Sequence, residues 1–325
     1  SALRRGVAAA VIAGIVVSSG IPAYAARWDI ADGDITVRAD DEGTNRVTQG
    51  EQKEVKDTDT VITGKSEEHT VTIDTSEGDV DVTFDDLKID VSDKDEGDDG
   101  SGHGGKAAVR VEGGNDAAIE LDGKNELKSG SSNAGLEKNG DESEGTLTIK
   151  DDKGKDGSLT AEGGGFGGAG IGGGHERSAG NIEITGGTVK AVGGAGAAGI
   201  GGGVYGPGHD IEISGGKVSA TGGSYSGYEG DTRPGAAGIG DGAGAWSVPD
   251  PDAPSSNPNH IIISGDAEVT AKAGSQMADA KTPAIGGTYG EVPTEALSDA
   301  DHKVTGGRLT RLNADGTVME GMGYD

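Results

Sequence analysis

The chain has 325 residues and no cysteine, and its 56 acidic and 27 basic side chains leave a net charge of −29; 32% of it is apolar and 3% aromatic. That composition sits near the border of disorder and excludes a globule built around one thick core, though a thin fold repeated along an axis stays possible because each layer is buried by its neighbours. The charge excludes nucleic acid, whose phosphates need Lys and Arg, and stable adsorption to an anionic membrane.

Residues 1–25 read as a secretory signal peptide. Arg4 and Arg5 precede the apolar run "GVAAAVIAGIVVSSGI", and Ala23–Ala25 ("AYA") fits a small-x-small cleavage site. The run is short for a transmembrane helix, so no stable membrane insertion is expected once it is removed. Next come alternating apolar and polar stretches split by Asp, Asn and Gly turns: "DITVRAD" from Asp34, "TVITG" from Thr60, "HTVTID" from His69 and "DVDVTFDDLKIDVS" from Asp79. Alternation of this kind predicts half-buried strands. The acidic run Ser92–Gly105 reads as a solvated loop. Further strand pairs follow in "AAVRVEGGNDAAIELDGKNELKSG" and "GTLTIKDDKGKDGSLTAEGG".

From Gly167 onward the pattern becomes a repeat. "GGAGIGGG", "AGAAGIGGG", "PGAAGIGDG" and "TPAIGG" each precede a variable loop and then an apolar strand pair. A unit that is constant while its insertions fall in loops predicts a solenoid. Three short strands per unit, with glycine at the corners, predict an all-β, three-sided parallel β-helix with Gly-rich coils and loop insertions, spanning 27–314 as one domain and followed by a tail at 315–325. Three inward columns are expected: Ile171, Ile200, Ile239 and Ile285; Ile184, Ile213, Ile263 and Val304; and Val189, Val218, Val269 and Leu309.

These stretches, from "DVTFDDLKIDVS" through the "GAGIGGG" repeats, resemble secreted β-helix proteins of Gram-positive and gut bacteria. Such proteins are described as carbohydrate-binding domain-containing surface proteins with a pectate-lyase-like right-handed β-helix. The resemblance covers most of the chain beyond the signal, and its motifs are structural. It implies an extracellular or cell-surface protein, non-catalytic, that binds a polysaccharide or a host or cell-surface glycan, or mediates adhesion.

Candidate binding residues are the aromatics of the repeat half. Tyr205, Tyr225, Tyr228, Trp246 and Tyr289 lie in loops on the edge of successive coils, where exposed rings offer a stacking platform for sugars. The competing expectation is that these rings fold back to cover the coil edge. Calcium is the cofactor the acidic loops would suit, through Asp93, Asp95 and Asp98 or through Asp152 and Asp156, although neither loop has EF-hand spacing. The alternative function is a β-helix polysaccharide lyase or glycoside hydrolase, suggested by Gly102-His103-Gly104 after Asp98 and Asp99. It lacks the further acid and base elements such enzymes need. A structural surface stalk is the third reading.

Overall fold

The computed structural model describes residues 26–40, 43–93, 104–154, 156–225, 235–245, 260–275, 282–287, 302–304 and 306–319. The signal segment 1–25 lies outside them. Among the described residues the protein is all-β, with a three-residue 3-10 turn at Ile30–Asp32.

Parallel pairing from coil to coil builds three ladders. In the first, Ile35, Val71, Val109, Leu136, Ile171, Ile200, Ile239 and Ile285 stand one above the next. In the second, Val82, Ile119, Ile149, Ile184, Ile213, Ile263 and Val304 are in register. In the third, Asn125 is followed by Leu159, Val189, Val218, Val269 and Leu309. The columns expected from the repeats are therefore found in the expected register. The aliphatic side chains from Ile35 to Ile285, from Val82 to Ile263 and from Leu159 to Leu309 belong to one continuous core, each contributing about 1.5–3 kcal/mol on burial.

The second and third ladders are one strand at their start. Val80–Asp90 pairs through its first half with Ala117–Asp122 and through its second with Glu126–Lys128. Asn125 sits inside the core just after the split. Its amide donates to Asp122 O at 3.0 Å and Ser158 O at 3.1 Å, and its carbonyl accepts from Leu87 N at 2.8 Å. A buried amide with these bonds made is tolerated in an apolar column.

The N-terminal portion departs from the expected continuous solenoid. Ile35–Ala39, Asn45–Gln49 and Gln52–Asp57 form an antiparallel ribbon, because the turns at Asp40–Thr44 and Gly50–Glu51 are too short for a parallel crossover. The outer strand Gln52–Asp57 is largely exposed and carries Lys53, Glu54 and Lys56, charges that discourage edge-to-edge pairing. Asp57 ties the ribbon to the first coil. Its buried carboxylate accepts from Trp28 Nε1 at 2.7 Å and Ala26 N at 3.1 Å. Asp57→Ala leaves the indole N–H buried and unpaired, so a loss of about 2 kcal/mol is expected, read as a lower urea midpoint. An unchanged midpoint would show that the ribbon is not held by this contact.

Candidate functional site

Two glycine-rich turns bracket the short strands Ile171–Gly172 and Ile200–Gly201 of the first ladder. One turn follows the third-ladder strand, and the other precedes the second-ladder strand. Phe166, Gly196 and Tyr225 occupy the same place on the first turn of successive coils, each four residues past the paired strand ends Glu162, Val192 and Thr221. On the facing turn, Glu176 and Tyr205 are equivalent, five residues after Ile171 and Ile200, and both hold positive φ, 60° and 65°.

This arrangement brings four rings together. Phe166 stacks on His175 with centroids 5.3 Å apart and planes at 21°. His175 meets Tyr205 edge-on at 6.0 Å, and Tyr205 meets Tyr225 edge-on at 6.3 Å. The two phenol oxygens lie 3.0 Å apart. Such geometries are the favoured ones for aromatic quadrupoles. Phe166 is 44% exposed, and the other three rings are half-buried. Gly196 makes the row possible: a Cβ there would lie 2.9 Å from both Tyr225 Cδ2 and Val204 Cγ2.

Of the expected binding residues, the structure brings Tyr205 and Tyr225 together, while Tyr228, Trp246 and Tyr289 lie outside the described residues. Phe166, which the sequence places before the first Ile-Gly element, and His175, which the aromatic pattern does not include, complete the row. Their signal was faint: a single Phe inside a glycine tract, and a His where the next coil has Val204. Tyr205 and Tyr225 are half-buried against neighbouring rings, while Phe166 is open to solvent.

A cleft of about 330 Å³ adjoins the Phe166 turn, lined by Lys128, Ser129, Ser131 and Glu162–Gly165 among others. Its Lys128 and Glu162 form an ion pair at 3.4 Å. A smaller cleft of about 170 Å³ lies on the second ladder and includes Glu183, Asp210, Glu212 and His260. There Asp210 is bridged by two imidazoles, His209 Nδ1 at 2.7 Å and His260 Nδ1 at 3.1 Å.

Of the acidic residues considered for calcium, Asp93, Asp152 and Asp156 are exposed, and Asp95 and Asp98 lie outside the described residues, as do Asp99 and His103. Asp151, not Asp152 or Asp156, organises its loop by accepting from Gly157 N at 3.1 Å. Among the described residues no group of three or more His, Asp or Glu is placed to hold a metal ion.

One coil carries a polar plug. Leu136-Glu137-Lys138-Asn139 occupies the place that Ile171-Gly172-Gly173-Gly174 takes in the next coil. Glu137 is buried, and desolvation raises its pKa even though Arg110 at 2.8 Å and the Ala134 N–H at 3.0 Å favour the carboxylate. Lys138 is fully buried and donates to Ser143 O at 2.9 Å and Gly180 O at 2.8 Å. Desolvation lowers its pKa to about 8, with Asp116 pulling the other way.

Residues 182–204 and 211–243 match the sequence family described as Beta helix repeat. These coils are β-helix repeats. The aromatic row runs into the β-helix segment, since Tyr205 directly follows its first matched stretch and Tyr225 lies within the second. No curated protein and no solved structure matches the chain at a significant level. Among the described residues, no helix is long and apolar enough to cross a membrane.

Proposed function

We propose that this protein is a secreted, cell-surface polysaccharide binder without catalytic activity, built as a right-handed, three-sided parallel β-helix. The observation that supports this reading is the row of rings from Phe166 through His175 and Tyr205 to Tyr225. An extended sugar chain packs its C–H faces on such rings. Each contact is small, so several must add up before they offset the entropy of ordering the chain. Trp246 and Tyr289 extend the list of candidates, and the exported location rests on the segment 1–25.

A glycan array run with and without calcium tests the reading. Once a ligand is found, Phe166→Ala is expected to weaken binding about tenfold, or about 1.4 kcal/mol. The melting temperature should barely move, because exposed substitutions usually stay within about 0.5 kcal/mol. An array with no hits, or full affinity in both Phe166→Ala and Tyr225→Ala, removes the aromatic row as the binding surface.

A further inference from the structure

On the reading of residues 1–25 as a cleaved signal, we infer that Asp57 is a binding site for the chain's own processed amino terminus: the α-ammonium of Ala26, freed by cleavage, pairs with its buried carboxylate and closes the N-terminal end of the stack. Asp57 is fully buried. Its Oδ2 accepts from Trp28 Nε1 at 2.7 Å, and its Oδ1 accepts from Ala26 N at 3.1 Å and Asp59 N at 3.2 Å. In the uncut chain all three donors are neutral N–H groups. The bases nearest in sequence or on the same loops are engaged elsewhere: Arg27 with Asp85, Lys56 with Asp40 and Lys153 with Asp59. Among the described residues no Lys, Arg or His forms an ion pair with Asp57. A buried carboxylate without a countercharge is costly, because its desolvation is not offset.

Ala26 directly follows the small-x-small site Ala23–Ala25. Its carbonyl accepts from Val61 N at 3.1 Å, and Arg27 and Trp28 pair in parallel with Val61 and Ile62. Strand pairing therefore holds Ala26 N against the carboxylate. Hydrolysis of the Ala25–Ala26 bond by a signal peptidase consumes one water. The Ala25 carbonyl carbon takes its oxygen and leaves as a carboxylate, and both protons end on Ala26 N as an ammonium. The nitrogen stays where it is and gains the charge that Asp57 lacks, in a setting where attraction is stronger than in water. The pair joins the first coil to the outer ribbon strand Gln52–Asp57. In the precursor the same nitrogen is an uncharged amide, so the ribbon opens more readily until the signal is removed.

The test has two arms. In the first, the full chain 1–325 is treated with a bacterial signal peptidase and the new terminus is read by mass spectrometry. Ala26 is expected as the first residue. No cleavage, or cleavage elsewhere, would overturn the signal reading and this inference together. In the second, the chain beginning at Ala26 is compared with the same chain carrying one added glycine before Ala26. The added residue keeps the Ala26 N–H and moves the ammonium away. Amide hydrogens of Asn45–Asp57 are expected to exchange about tenfold faster in the extended chain, equivalent to about 1.4 kcal/mol of local opening. In Asp57→Asn, which keeps the shape and an acceptor for Trp28, the added glycine should change exchange by less than about twofold. Equal exchange with and without the glycine would overturn the inference while leaving the signal reading intact. So would the same acceleration in Asp57→Asn, since crowding by the extra residue then explains it.

Discussion

Gly201→Ala should be among the most damaging single substitutions in the repeat half. Gly201 holds φ of +134°, as do Gly172 at +134° and Gly240 at +126° in the adjacent coils. An alanine Cβ there would overlap Gly240 O, backbone of the next coil, an oxygen that already accepts from Gly202 N at 3.0 Å. Nothing flexible is available to move aside. Backbone strain of about 1–3 kcal/mol adds to overpacking of about 1–3 kcal/mol, so a loss of about 4 kcal/mol is expected. Gly316→Ala is the control, because Gly316 also has positive φ, +86°, but no atom within 4 Å of an added Cβ. It should lose only about 1–2 kcal/mol. Urea midpoints of the two variants decide the matter, and equal losses would mean that close approach of the coils does not constrain this column.

The second large effect is on pH dependence. Lys138 has a folded pKa of about 8 against an ordinary value of 10.5, with desolvation as its main cause. The unfolded chain therefore holds this proton more tightly, and stability rises with pH through the window from about 8 to 10.5. At neutral pH, keeping the buried ammonium costs about 3 kcal/mol, of which about 2 kcal/mol should be recovered between pH 8 and pH 9.5. Other groups titrate in that range, so the measurement is the difference between the native chain and Lys138→Met, each unfolded in urea at both pH values. The native chain should gain on the variant as the pH rises. Parallel pH profiles would place the ammonium in contact with water.

Much of the fold was readable because Ile and Val recur in step with glycine. Ile182, Ile211 and Ile261 pair directly although loops of different length separate them. The plug coil escaped notice because Glu137 and Lys138 stand where later coils have Gly172 and Gly173, and charged residues do not look like a core. The ribbon Asn45–Asp57 was hidden for another reason: its strands, and Gln52–Asp57 above all, are largely polar, so no strand was read between "DITVRAD" and "TVITG". At the site, Tyr205 and Tyr225 are 20 residues apart in sequence and meet because of coil stacking. His175 entered the row through its place on the facing turn, which no spacing along the sequence reveals.

Between the ends of each column, a residue takes its partners from the coil directly below and the coil directly above. Ile211 thus stands where Ile182 stood, 29 positions earlier. The segment 182–210 is in effect a removable link: its loss or duplication changes the length of the stack by one strand spacing and presents the same surface to both neighbours. Evolution can therefore lengthen or shorten the body in whole steps, in the way a chain is altered by links, without redesigning the interior.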